Sequence, residues 1–161
     1  MKYIKKKMKN FRLKKTDKIL CAKFRKGHFE GVLNVMNRLL SIIRSRQVFM
    51  GEKDFQQYIL IKRILGKKYK VDIIGCPTIR ENNHVALSTR NKLLNKTAVK
   101  TASKIAKKLS KLKKLTQTNE LINLSKYKNE FEKKFKIKID YLEFRDEKKL
   151  KLNNFKSNFR I

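Results

Sequence analysis

The chain has 161 residues, 40% of them apolar, enough for one ordinary domain or pieces of two. Its formal charge of +31 comes from lysines and arginines spread over every region, at the polar positions of amphipathic segments; this reads as a lysine-rich solvated surface rather than one polyanion-binding groove. Cys21 and Cys76 lack metal-ligand spacing, no apolar run reaches the length of a membrane span, and Met1-Lys2-Tyr3-Ile4-Lys5 has no signal-peptide stretch, which excludes a disulfide scaffold, a zinc site and a spanning helix and predicts buried, reduced thiols in a cytoplasmic protein.

Residues 1–20 are lysine-rich and read either as a short strand and loop or as a frayed leader. Val32, Val35, Met36, Leu39, Leu40 and Ile43 recur at helical spacing, with Gly31 ahead of the helix and Ser45-Arg46 ending it. Gln47-Val48-Phe49-Met50 reads as a buried strand stopped by Gly51, Phe55 to Leu65 as a second helix closed by Gly66, and Lys70 to Gly75 as a second strand. Helix, strand, helix, strand with short connections indicates a parallel α/β sheet. A sheet of two strands is too small to cover both faces and form a nucleotide crevice, so part of that domain is expected to be missing.

After Asn91 the character changes. Ala98, Ala102, Ile105, Ala106, Leu109 and Leu112 form a third helical stripe opposite a lysine face. Thr116-Gln117-Thr118-Asn119 reads as a turn, and Leu121, Ile122, Tyr127, Phe131 and Phe135 as a fourth helix. Ile137, Ile139 and Tyr141 alternate with polar residues, predicting a half-buried strand; residues 145–155 read as turn and loop, and Asn158 to Ile161 as the opening of another strand. The expected organisation is a partial α/β domain over 1–90 and a small α+β domain over 91–161.

The chemistry gathers in three segments. Gly51-Glu52-Lys53-Asp54-Phe55-Gln56-Gln57 lies where a strand ends and a helix begins. There, backbone N–H groups and the helix dipole favour an anion, Gly51 lets backbone approach a phosphate, Lys53 adds charge, and the Asp54 carboxylate suits Mg²⁺ directly or through water. Pro77-Thr78-Ile79-Arg80 is followed by Ala86-Leu87-Ser88-Thr89-Arg90-Asn91; two hydroxyls and a guanidinium can embrace a triphosphate. Arg25-Lys26-Gly27-His28-Phe29 forms a turn whose histidine can orient a substrate or accept a proton, or serve structure alone. His84 sits in a polar loop and reads as exposed. There is no Walker loop and no Gly-x-Ser-x-Gly.

Taken in order and spacing, these segments resemble the motifs of the pantothenate synthetase (pantoate–β-alanine ligase) family over about residues 12–161. Lys26 stands where the family has proline, and Thr89 where it usually has serine. The resemblance implies a partial Rossmann-like, nucleotidyltransferase-type sheet followed by a small α+β domain. It implies an AMP-forming ligase that condenses pantoate with β-alanine through pantoyl adenylate, with ATP and Mg²⁺. It makes Gly51, Glu52, Lys53, Asp54, Ile79, Leu87, Ser88, Thr89 and Arg90 ATP-binding, with Lys53 and Arg90 catalytic, and makes Gln57 pantoate-binding. Arg25 and His28 fall on the β-alanine side. The family's His-x-Gly-His motif and a second pantoate glutamine are expected upstream of Met1, and final strands beyond Ile161, so the chain is expected to be a fragment. The family suggests a homodimer, without membrane or nucleic-acid partners. Two other readings stay open at this point: a small basic nucleic-acid-binding protein, and a noncatalytic remnant.

Overall fold

The computed structural model describes residues 10–115, 122–152 and 159–160, the last two as backbone only. By contacts the chain forms two compact units, Met1–Pro77 and Thr78–Ile161. The dividing line falls ahead of the boundary read from the sequence, so Thr78 to Arg90 group with the second unit.

In the first unit a 3-10 turn, Lys15–Asp17, and a short helix α1, Cys21–Phe24, lead to α2, His28–Ile43. Gly27 adopts φ +77°, a conformation that favours glycine, and so starts α2 at His28. Gly31 therefore lies inside the helix, not ahead of it. Strand β1, Gln47–Gly51, is followed by a 3-10 turn, Glu52–Asp54, and α3, Phe55–Ile61. A π-helical turn, Lys62–Gly66, runs on into α4, Lys67–Tyr69, and then β2, Asp72–Cys76. Strands β1 and β2 pair in parallel with Gln47 opposite Asp72 and Gly51 opposite Cys76.

Gly66 does not close the second helix. A Cβ there would lie 3.2 Å from the Val71 carbonyl oxygen and 3.4 Å from Ile73 Cγ1, so glycine serves close packing against β2. The stop comes at Lys70, in the left-handed region at φ +51°. Tyr58, Ile59, Leu60 and Ile61 are all buried, because α3 lies between the sheet and α2.

The apolar face expected on α2 is displaced. Phe29, Leu33, Asn37 and Leu40 are buried, while Val35 and Ile43 are 61% and 63% exposed. Asn37 explains the rotation. Its Oδ1 accepts from Lys68 Nζ at 2.7 Å, and Tyr69 Oη lies 2.8 Å from that oxygen and 3.0 Å from the Asn37 carbonyl. These bonds satisfy a polar side chain that is 1% exposed, and they make its stripe the one that packs. Cys21 and Cys76 are half-buried and not joined in a disulfide, rather than fully buried.

In the second unit a 3-10 turn, Thr89–Leu93, precedes α5, Lys96–Leu115, and α6, Leu124–Phe135. The lysines of α5 at 96, 100, 104, 107, 111 and 114 are exposed, and Leu112 is buried. Phe131 packs edge-on to Tyr127 and Phe135, with Lys108 Nζ over its ring. Strands β3, Arg145–Asp146, and β4, Phe159–Arg160, form an antiparallel pair. The strand expected over Ile137–Tyr141 does not form. The Ile139 N–H donates to Glu132 Oε1 at 2.7 Å, so a side chain of α6 takes the bond that a ladder would have taken. The strand expected to open over Asn158 to Ile161 is seen as β4 at Phe159–Arg160; the turn expected at Thr116–Asn119 lies outside the described residues, as does the reading of residues 1–9.

Candidate functional site

The first cluster follows from the sheet. Open parallel sheets offer ligands the space beyond the carboxyl ends of their strands. Gly51 ends β1 there, opposite Cys76 at the end of β2. Its φ of −65° is ordinary extended backbone, so the residue is not needed for an unusual turn. What its missing side chain leaves is open space, since a Cβ would have nothing within 4 Å. Lys53 and Asp54 are exposed in the turn that follows. Asp54 precedes α3 without capping it through its side chain. That leaves the first turn of a helical run extending to Tyr69 without a side-chain cap from Asp54, next in sequence to the exposed Lys53, which is chemistry for an anion.

Glu52 behaves differently from its neighbours. A Cβ on Gly75 would fall 2.6 Å from Glu52 Oε1 and 3.0 Å from Tyr58 Cζ, so Gly75 is the floor on which Glu52 and Tyr58 lie. The signal for this role was a glycine inside a strand, where backbone or side chains come close. The half-buried Glu52 is therefore directed back onto the sheet.

Gln56 and Gln57 divide their tasks. Gln56 is 7% exposed; its Nε2 donates to the carbonyls of Ile19 at 2.8 Å and Asp17 at 3.2 Å, and its Oε1 accepts from the Ala22 N–H at 3.4 Å. Gln57 is half-buried on the first turn of α3. Gln56 thus ties the segment leading into Arg25 and His28 to the helix that carries Gln57. Arg25 Nη2 lies 3.2 Å from His28 Nδ1. The guanidinium donates, so Nδ1 accepts and the imidazole proton sits on Nε2. The His28 ring also meets Phe29 edge-on. Among the expected site residues of this unit, Glu52, Lys53 and Asp54 share one turn, and Arg25 and His28 touch directly. A cavity of about 740 Å³ runs along β2, lined in part by Tyr58, Lys62, Lys70 and Gly75; the expected site residues do not line it.

The second cluster is a hairpin in the second unit. Arg80 bridges Ala86 in antiparallel fashion, and the Leu87 N–H donates to the Ile79 carbonyl at 2.9 Å. The two halves of the motif, apart in sequence, are therefore side by side. His84 is exposed at the tip at φ +71°, where Arg80 Nη1 donates to its carbonyl at 3.0 Å. Ser88 Oγ accepts from the Arg90 N–H at 3.3 Å and caps the turn Thr89–Leu93. Asn91 Nδ2 donates to Glu81 Oε1 at 2.6 Å and to the Ala86 carbonyl at 3.1 Å, locking the turn to the hairpin. Asn91 stands in the motif, but its fastening to Glu81 joins residues that no local pattern connects. Thr89 and Arg90 are exposed, and beside them Ile79 and Leu87 are 71% and 56% exposed. The hairpin thus presents a guanidinium and hydroxyls next to two uncovered apolar side chains, a surface that suits phosphate and an aromatic base together.

Among the described residues no three His, Cys, Asp or Glu gather to hold a metal, and no helix is long and apolar enough to cross a membrane.

Comparison with known proteins bears on both clusters. The family model described as pantoate-beta-alanine ligase matches residues 3–160. The pantothenate synthetase of Clostridium novyi (strain NT) is 37% identical over 132 residues, covering 79% of this chain and 46% of its own length. The solved pantothenate synthetase of Thermus thermophilus has a TM-score of 0.78 at 24% identity, covering 94% of this chain and 56% of its own; it shows the α/β nucleotidyltransferase-type fold. The pantoate-beta-alanine ligase of Francisella tularensis, solved with beta-gamma ATP and beta-alanine, has a TM-score of 0.69 at 33% identity and covers 94% of this chain and 53% of its own. The chain spans about half the length of these relatives.

Proposed function

This chain belongs to the pantoate-beta-alanine ligase family, and we propose on that premise that it carries the nucleotide and pantoate contacts of a pantothenate synthetase. The observation that carries the reading is the hairpin. It brings Ile79 against Leu87 and, through the Ser88 cap and Asn91, presents Arg90 to solvent in the segment with the family's motif.

The reaction is the condensation of pantoate with β-alanine. The pantoate carboxylate attacks the α-phosphorus of ATP, pyrophosphate leaves, and pantoyl adenylate forms. The β-alanine amine then attacks the acyl carbon, and AMP leaves with the former carboxylate oxygen. Lys53 and Arg90 stabilise the charge that develops on the phosphoryl oxygens. Gly51, Glu52 and Asp54 shape the turn at the phosphates, Ser88 and Thr89 bond the triphosphate, and Ile79 and Leu87 pack on the adenosine side. Gln57 holds pantoate for in-line attack, donating and accepting at once through its amide. Arg25 and His28 serve the β-alanine side. The residues fit a magnesium ion that arrives with the nucleotide, because the exposed Asp54 supplies one carboxylate and no cage exists among the described residues. When bound, such an ion neutralises phosphate charge. A cytoplasmic homodimer completes the proposal.

The test is a chimera joining residues 1–161 to the part of the Clostridium novyi relative that they do not match. AMP release dependent on both pantoate and β-alanine is expected from the chimera. Little or none is expected from residues 1–161 alone, where groups orienting the triphosphate are lost at a cost of about 100- to 1000-fold each. A folded chimera that binds ATP without pantoate-dependent AMP release sinks the reading.

A further inference from the structure

The sheet of the first unit is only half covered. Parallel sheets occur with helices on both faces, because their connections cross over them. Here one face carries Ile73, 3% exposed, and Gly75 against Tyr58 and Glu52. The opposite face carries Phe49, in register with Ile74 and 65% exposed. Among the described residues β1 has β2 as its one strand neighbour, so its other edge offers backbone groups for pairing. Helix α2 packs on α3 with one stripe and turns a second outward: Val35, Leu39, Ile42 and Ile43 follow i, i+4, i+7, i+8 spacing and are 43–63% exposed.

We propose that this surface docks the portion of the family fold that residues 1–161 do not match, and that docking succeeds when that portion is a separate polypeptide. Three observations select this occupant. The Thermus thermophilus chain matches 94% of this one yet is only 56% covered by it, so a segment nearly as large remains on the relative. A strand added in parallel to the edge of β1 must be joined through a helix, and that helix falls across a face of the sheet. One α/β segment therefore satisfies the β1 edge, the Phe49 face and the outer stripe of α2 together. A second copy related by a two-fold axis would set β1 antiparallel to itself, pairing the edge while leaving the Phe49 face open. The proposal rests on family membership and on the uncovered surface, and is independent of the roles assigned to Lys53, Gln57 and Arg90.

The experiment co-expresses residues 1–161 with a tagged polypeptide comprising the unmatched portion of the Clostridium novyi pantothenate synthetase. A 1:1 complex is expected, with the amides of Val48 to Met50 exchanging about tenfold more slowly than in residues 1–161 alone. Phe49→Lys and Ile43→Lys are each expected to reduce recovery of the complex about tenfold or more. Both positions are exposed, so the circular dichroism of residues 1–161 is expected to be unchanged. Separate elution of the two polypeptides overturns the proposal. So does equal protection of Val48 to Met50 in a homodimer of residues 1–161. The chimera keeps the two readings apart. A complex in trans with an inactive chimera leaves docking standing and sinks the function; an active chimera without a complex in trans overturns docking alone.

Discussion

Replacing Gln56 by alanine should destabilise the first unit far more than replacing its neighbour Gln57. The Gln56 amide makes three hydrogen bonds, to the carbonyls of Ile19 at 2.8 Å and Asp17 at 3.2 Å and from the Ala22 N–H at 3.4 Å, from a position 7% exposed. The two shorter bonds contribute about 1 kcal/mol net each and the long one less; the Ala22 N–H and the Ile19 carbonyl keep each other at 3.0 Å, so the Asp17 carbonyl is the group whose lost partner adds about 1–3 kcal/mol. The expected loss is about 2–4 kcal/mol. The Arg63–Asp17 ion pair at 2.6 Å still holds the segment, but the Arg63 side chain is 43% exposed and offsets little. Urea unfolding of residues 1–161 followed by circular dichroism should show a lower midpoint at unchanged slope for Gln56→Ala. Gln57→Ala should change stability by about 0.5 kcal/mol or less and weaken pantoate binding instead. A loss below about 0.5 kcal/mol for Gln56→Ala, or equal losses for the two variants, would refute the division of labour.

Asn37→Ala removes the Oδ1 acceptor of Lys68 Nζ at a position 1% exposed, while Tyr69 Oη keeps the Asn37 carbonyl at 3.0 Å, and should cost about 1–3 kcal/mol, read by thermal melting. Gly75→Ala should cost about 1–3 kcal/mol, because the added methyl meets Glu52 and the buried Tyr58 ring; chemical shifts of Tyr58 report the displacement. Lys53→Ala and Arg90→Ala, both at exposed positions, should leave stability unchanged and weaken ATP binding by about 10- to 100-fold, measured by calorimetry on the chimera. Asp146 should make the turn after β3 acid-sensitive. Burial raises its carboxyl pKa, but the backbone N–H groups of Lys149, Lys151 and Lys148, with the Lys149 charge, outweigh that and hold it below the usual value. A lowered folded pKa means the stabilisation is present above the ordinary carboxylate value and lost as pH falls through the folded one. Protection of the Lys149 and Lys151 amides, relative to their intrinsic exchange at each pH, should therefore fall in that acid window, and Asp146→Asn should abolish this pH dependence.

Much of this protein was decided by local sequence. The α2, β1, α3 and β2 order followed from apolar periodicity and turn residues, because periods of 3.6 and 2 are properties of the backbone itself. The motifs at Gly51–Gln57 and Ile79–Asn91 were equally legible, since strand-end glycines, hydroxyls and guanidinium groups carry their chemistry in their type. Tertiary structure decided what those patterns leave degenerate. Helix α2 has two apolar stripes, and the one that packs is the one whose Asn37 meets Lys68 and Tyr69, far along the chain. Gly66 reads as a stop until β2 lies against it. Ile137, Ile139 and Tyr141 alternate like a strand, but a strand needs an edge to pair with, and the Ile139 N–H found Glu132 instead. Gln56 and Gln57 are the same residue twice; which one is buried depends on the rotation of α3 between the sheet and α2, and that is set by contacts remote in sequence.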